Sequence, residues 1–268
     1  FERPNYFGPL DADDNFDHDA RSFRRGGWWQ AAITEAKAIR EGVGLIDATA
    51  FAKHMVKGPG AAQFLDWFTC NKLPKTGRIN LTYALTSAGT TRTEYTIVRL
   101  ADDAFYLVSA GAWTDYDGDF LRKSAADKAP EFGYVEVQDV TTQWGVFAIA
   151  GPKSRDVLKA VIKDSDPETA LSNKRFPWLS ARQIELGMCP VNAIRVAYTG
   201  ELGWELHHPI EMQNYLFDLL EAAGAAHGMK LVGARAQNWL RLEKSYRAFG
   251  NELGRDATPL EADLPRFV

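Results

Sequence analysis

Two carboxylates stand at places where a strand does not ordinarily need one. The stretch VAYTGELGWEL, residues 196–206, begins as a strand, breaks at Thr199-Gly200, and sets Gly203 directly before Trp204 and Glu205. By strand alternation Trp204 and Leu206 face one way and Glu205 the other, toward whatever Tyr198 and the glycine bend surround. A carboxylate can accept two parallel hydrogen bonds from an N–H/NH2 edge, such as the 2-amino-4-oxo ring of a pterin offers. Glycines let a backbone come close to such a flat ligand. A surface strand with a solvated glutamate fits the same residues. The second carboxylate is Glu94, mid-strand in TTRTEYTIV among neutral residues. It is either paired with Arg92, two residues away on the same face, or kept for acid–base or electrostatic work in a cleft.

Other chemistries lack their residues. No G-x-G-x-x-G follows a strand and no G-x-x-x-x-G-K-[ST] occurs, so neither a dinucleotide nor a triphosphate fingerprint is present; GPGAA at 58–62 reads as a helix start. His18, His54, His207, His208 and His227 form no H-x-x-x-H or His/Cys grouping, and the adjacent His207 and His208 point to opposite faces of a strand. No metal site is expected. A nucleophile elbow is equally unsupported, since G-x-S-x-G is missing.

The chain around these residues has 268 residues, 46% hydrophobic and 25% charged, a composition that supports a buried core in one large domain or two intimate ones. Its formal charge of -4 argues against a nucleic-acid partner, and RSFRR at 21–25, the one dense cationic run, reads as a solvated loop. Cys70 and Cys189 match neither a metal spacing nor a disulfide framework, which points to a reducing compartment, cytosol or mitochondrial matrix. No apolar run of about 18 residues occurs, so no membrane span is expected. The sequence starts without Met and stops on the apolar PLEADLPRFV, and it reads as the interior of a longer chain.

The elements that must hold the two carboxylates follow from periodicity. Residues 1–27 read as an irregular connecting arm, and a helix starts at Trp28 and stops at Gly42 and Gly44. VGLIDATAFAKHMVKG reads as two strands, PGAAQFLDWFTC as a helix begun by Pro59, and RINLTYALTSAGTTRTEYTIVRLADDAFYLVSA as a three-stranded antiparallel meander. TDYDGDFLRKSAADK is a helix capped by Thr114 or Asp115; YVEVQDV and WGVFAIAG are strands; GPKSRDVLKAVI is a helix with proline in its first turn. RQIEL, CPVNAIRVAY and GWELHHP are strands, and EMQNYLFDLLEAAGAAHG and GARAQNWLRLEKSYRAFG are helices. Grouped strands with helices between them predict an α+β fold, antiparallel sheets carrying helices on their outer faces, with a hint of internal duplication.

The stretch YTGELGWEL resembles the Y-T-G-E-x-G-[FYW]-E signature of the glycine-cleavage T-protein (aminomethyltransferase) superfamily, which binds tetrahydrofolate. The likeness extends to REGVGLIDATAFAKHMVKGPGAAQFLD, AGTTRTEYTIVRL, AIAGPKSRDVL and GARAQNWLRLEKSYRAFGNEL. ERPNYF, GPKSRDVL and LRLEKSYRAFGNEL are similar to the folate half of dimethylglycine and sarcosine dehydrogenases more than to free-standing T-proteins. In that branch a flavin domain precedes the folate domain and a small barrel follows it. The resemblance therefore implies that residues 28–268 are most of a folate domain, cut before that barrel, with FAD in a separate domain outside this chain.

The resemblance also implies roles. Tyr198 and Trp204 would pack at the folate and Glu205 would hold the pterin edge. Arg235, in GARAQ, matches an arginine of the family's folate site, whereas Arg241 is expected to brace Glu243 or the helix packing. The family's catalytic aspartate lies in G-G-I-x-x-D-x-T, which aligns with residues 89–96, so that Glu94 stands where an aspartate is usual. The added methylene moves the carboxylate by about an ångström while keeping its charge. A tyrosine of that block aligns with Leu81, and Tyr83 lies two residues on along the same face. The implied reaction is capture of the methyl-derived iminium or formaldehyde from oxidative N-demethylation as 5,10-methylenetetrahydrofolate, with a methylated amine as donor and a flavin oxidoreductase domain as partner. Two alternatives stand beside it: a folate-dependent demethylase of another donor (N-oxide, sulfonium or aryl ether), and a non-catalytic folate sensor. The sensors carry K-G-C-[FY]-x-G-Q-E, and RAFGNELGRD has no cysteine.

Overall fold

A computed structural model describes residues 2–8 and 25–268. RSFRR up to Arg24, His18 and most of the expected arm lie outside the described residues. The chain forms two compact units. The first gathers Phe1–Thr49, Gly145–Pro177 and Gln183–Tyr246, and the second Ala50–Trp144, Trp178–Arg182 and Arg247–Val268. The second unit is thus largely an insertion within the first in chain order.

In chain order the elements are α1 (Trp28–Glu41), β1 (Gly44–Asp47), β2 (Ala52–Lys57), α2 (Ala61–Phe68), β3 (Ile79–Leu85), β4 (Thr91–Ala101), β5 (Ala104–Ser109) and α3 (Thr114–Phe132). There follow β6 (Glu136–Asp139), β7 (Trp144–Ala150), α4 (Ser154–Val161), α5 (Pro167–Ala170), β8 (Ala181–Leu186), β9 (Cys189–Ile194), β10 (Gly203–Pro209), α6 (Gln213–Ala225), β11 (Lys230–Leu231) and α7 (Ala234–Glu243). One sheet has the order β11-β1-β7-β10-β9-β8, the other β3-β4-β5-β2-β6. The pairings are antiparallel except β1 with β11, which is parallel. The expected α+β class holds.

Alternation decides what each sheet buries. In the first unit Leu45, Phe147, Ile149, Trp204 and Leu206 pack with Val157 and Leu158 of α4 and Leu216 and Leu220 of α6. The opposite face meets Ile39 of α1 and Ala236 and Leu240 of α7 through Ile46 and Ala150. In the second unit Val56, Tyr95, Ile97, Phe105 and Leu107 face Phe64, Leu65 and Phe68 of α2 and Leu121 and Ala125 of α3. Burying such side chains contributes about 1.5–3 kcal/mol each.

Several boundaries differ from the periodicity. Pro59 and Pro152 lie ahead of α2 and α4 rather than in their first turns. α3 begins after Trp113, and the Thr114 hydroxyl donates to the Gly111 carbonyl at 2.8 Å instead of capping an N–H. α7 stops at Glu243, since Ser245 takes φ 57° and the Lys244 and Tyr246 N–H groups both turn back to the Arg241 carbonyl. Arg241 is 2% exposed, and its guanidinium holds Asn238 Oδ1 and the Tyr246 carbonyl, which settles it as a brace of the helix end.

Candidate functional site

In the second unit Glu94 and Tyr83 are direct partners across the β3–β4 ladder. Ala84 and Tyr95, their chain neighbours, point into the core under α2 and α3, so Glu94 and Tyr83 share the other face of the sheet. Tyr83 is 1% exposed, its hydroxyl donates to the Glu94 carboxylate, and its ring meets Phe267 edge-on at 6.4 Å. Arg92 does not take up the ion pair that its spacing allowed. Its guanidinium lies over the ring of Phe120 at 3.6 Å and that of Tyr116 at 4.9 Å. Among the described residues no cation pairs with it, and burial pushes the Glu94 carboxyl up to about 7, with the Tyr83 hydrogen bond pulling the other way. A carboxyl poised there can both hold and release a proton near neutrality.

On the opposite face of this sheet lies an acid that the sequence reading did not single out. Asp117 of α3 accepts from Ser109 Oγ at 2.7 Å and Thr93 Oγ1 at 3.1 Å, and burial pushes its carboxyl up to about 6. The only sequence signal for it was an Asp at the start of a helix, which ordinarily reports the helix dipole.

In the first unit Glu205 lies on β10 opposite Ile194 of β9. Its side chain is 13% exposed, and His207 Nε2 stands 3.4 Å from Oε2. Among the described residues no partner meets its other oxygen. His207 is fully buried two residues along the same strand face, a neighbour that alternation could have identified. His208, on the other face, stacks on Phe147 at 5.1 Å and meets Gln213 Oε1 at 2.6 Å.

Tyr198 is half-buried and stacks on Tyr246 with ring centroids 6.4 Å apart and planes at 26°. Arg235, in the first turn of α7, places its guanidinium 3.8 Å over the Trp28 ring. Trp204 does not join this group. It is 0% exposed, sits among Phe147, Ile149 and Leu216, and meets Phe176 edge-on, because alternation turns it to the face opposite Glu205. Trp204 is therefore a core residue and not a ligand contact.

The two glycines of the bend also serve the chain itself. Gly200 has φ 74°, and a Cβ there would meet the stem of Lys244. A Cβ at Gly203 would stand 2.7 Å from the Ile149 carbonyl oxygen and 2.9 Å from Ala197 Cβ. Close strand packing thus requires glycine at 203, and the left-handed backbone of the turn favours it at 200. Glu201 within the bend bridges Arg40 at 3.3 Å and Lys244 at 3.6 Å. Among the described residues no cluster of His, Cys, Asp and Glu could hold a metal ion, and no helix is long and apolar enough to cross a membrane.

Residues 1–268 match the family described as the GCVT N-terminal domain. The chain belongs to this family. It is 35% identical over 269 residues to the mitochondrial dimethylglycine dehydrogenase of Mus musculus, covering 100% of this chain and 30% of that protein. It is 32% identical over 256 residues to an aminomethyltransferase of Chlorobium luteolum (strain DSM 273 / BCRC 81028 / 2530), covering 93% and 67% respectively. The crystal structure of glycine cleavage system aminomethyltransferase T from Bartonella henselae superposes with a TM-score of 0.73 at 25% identity, over 88% of this chain and 60% of that one. These GCVT-family relatives are enzymes, and the chain spans about 30% of the dehydrogenase's length.

Proposed function

We propose that this chain is the tetrahydrofolate-binding part of a larger enzyme that takes up the one-carbon unit released by oxidative N-demethylation of a dimethylglycine- or sarcosine-type amine. In this reading residues 28–268 form the folate domain and residues 1–27 lead into it. A flavin oxidoreductase domain, elsewhere in the polypeptide or complex, performs the oxidation in the cytosol or mitochondrial matrix. The observation that carries the reading is Glu205. It is a largely enclosed carboxylate with one oxygen beside an imidazole and the other without a partner among the described residues. A carboxylate so placed suits the paired N–H donors of a pterin edge. The half-buried Tyr198–Tyr246 stack offers the aromatic surface that a flat heterocycle needs, so the residues present fit the cofactor.

When bound, tetrahydrofolate supplies the N5 and N10 amines on which the one-carbon unit ends, as 5,10-methylenetetrahydrofolate. Glu205 binds and orients, and His207 holds its carboxylate in place. Glu94 stabilises cationic character at the incoming carbon as its carboxylate and accepts or returns a proton at the same oxygens. Tyr83 keeps that carboxyl oriented through its hydroxyl.

The test uses the full-length enzyme. Titration with tetrahydrofolate should quench tryptophan fluorescence, and turnover of the methylated amine should convert folate to its methylene form in step with amine oxidation. Free formaldehyde released at the same rate with and without folate would contradict the reading.

A further inference from the structure

Two arginines of the first unit converge on one neutral acceptor. Arg155 of α4 and Arg195, which follows β9, both donate through Nη2 to Asn173 Oδ1, at 2.6 and 2.7 Å. A single amide oxygen thus stands between two positive charges. Arg195 is 8% exposed, and its Nη1 donates to the Phe176 carbonyl. Buried charges are ordinarily paired with an opposite one, because burial removes the water that would otherwise solvate them. Among the described residues no carboxylate pairs with either arginine. The acids nearest to Arg155 on α4 and α5 are taken by lysines, Asp156 facing Lys153 and Lys159, each at 3.9 Å, and Glu168 facing Lys159 at 2.6 Å.

The surroundings add donors rather than acceptors. Both guanidiniums lie beside the Trp204 ring, the carbons of Arg155 and Arg195 standing 5.8 and 5.5 Å from its centroid. An indole face attracts cations but does not neutralise them. Trp204 is 0% exposed, and among the described residues its indole N–H has no partner; neither has the buried Nε of Arg155. Each guanidinium has five N–H donors, of which Arg155 uses one and Arg195 two. Asn173 is exposed, in the segment between α5 and β8, so its amide is free to give way to a stronger acceptor. The exposed Lys174 and Arg175 beside it add to the positive field.

We propose that Arg155 and Arg195 form an oxyanion-binding site, taking the phosphate or carboxylate group of a small anionic ligand where Asn173 Oδ1 now stands. Guanidinium groups match both kinds of anion through paired N–H donors. The site lies beside Trp204, which faces away from Glu205, and it does not depend on the folate reading.

The test titrates the full-length enzyme with inorganic phosphate and with acetate, by calorimetry and by melting temperature, against sodium chloride at matched ionic strength. Wild type should bind phosphate saturably and gain melting temperature beyond the chloride control. Arg155→Gln, a change at a half-buried side chain, should weaken that binding about tenfold or more, the scale of a lost charge-assisted hydrogen bond. Asn173→Asp sets a carboxylate at the bridging position, so it should melt higher than wild type without added anion and no longer respond to phosphate. Tighter binding of phosphate than of acetate assigns a phosphorylated ligand, and the reverse a carboxylate one. If neither anion acts differently from chloride, or if Arg155→Gln and Asn173→Asp bind phosphate as tightly as wild type, the inference is overturned.

Discussion

Glu94 and Glu205 are both strand-borne carboxylates beside an aromatic side chain, yet their surroundings differ in kind. Among the described residues Glu94 has a neutral hydroxyl from Tyr83 as its partner and no cation, and burial moves its carboxyl to about 7. Glu205 has an imidazole at one oxygen and, among the described residues, no partner at the other. A group meant to exchange protons gains from an environment that disfavours its charge, whereas a group meant to accept hydrogen bonds gains from a neighbour that orients it. In the proposed reading Glu94 is the reacting carboxylate and Glu205 the gripping one.

The sharpest way to break that division is Glu94→Gln in the full-length enzyme. It should slow formation of methylenetetrahydrofolate by about 10²- to 10⁴-fold, the range for a positioned acid–base group, while tetrahydrofolate affinity stays within about threefold. Stopped-flow product formation beside equilibrium titration separates the two. Equal losses in rate and affinity would make Glu94 a second binding residue.

Trp204→Ala probes the gripping side in the opposite sense. A fully buried indole replaced by alanine should cost about 3–5 kcal/mol of stability, read by denaturant melts. Because Trp204 faces away from Glu205, variants that remain folded should keep folate affinity. A loss of affinity without a loss of stability would return Trp204 to the site.

The pH dependence of stability sharpens the contrast from the Glu94 side. The unfolded chain releases that proton near 4.5 and the folded one near 7. Between these values the folded state holds more protons, so the stabilisation present below 4.5 is lost as pH rises to about 7. Asp117 adds the same sign between 3.8 and about 6. Glu94→Gln should flatten the upper part of this decline and Asp117→Asn the lower part, measured as melting temperature from pH 4 to 8. An unchanged slope in Glu94→Gln would mean that its carboxyl is not held in a disfavoured charged state.

Much of this was legible in the sequence, and for identifiable reasons. The β3–β4–β5 meander and the opposite facing of Trp204 and Glu205 follow from a period of two, which is local information. The ladder that joins β1 to β7 and β11 is not local: its partners lie about a hundred and two hundred residues away, and no short-range signal specifies them. The bend glycines drew a ligand explanation because the carbonyl that excludes a Cβ at Gly203 belongs to a distant strand. Arg92 looked like the partner of Glu94 by spacing, and the rings of Tyr116 and Phe120 that hold it instead come from α3. The attachment of residues 4–7 to the start of α7 was invisible because backbone groups make much of it, the Pro4 and Asn5 carbonyls accepting from the Ala234 and Arg235 N–H groups, with Glu35 of α1 taking the Phe7 N–H. Glu201 is the smallest case. Its bridges to Arg40 and Lys244 are partly exposed, so Glu201→Gln should cost about 1 kcal/mol or less. A melting-temperature shift of many degrees would show that the bend depends on it.

The account rests most directly on Glu205 as the grip on folate. Isothermal titration of the full-length enzyme with tetrahydrofolate, wild type against Glu205→Ala, tests it in one comparison. The account predicts measurable binding in the wild type and a loss of about tenfold to a hundredfold or more in the variant, at an unchanged melting temperature of the free protein. Equal affinity of the two proteins would contradict it.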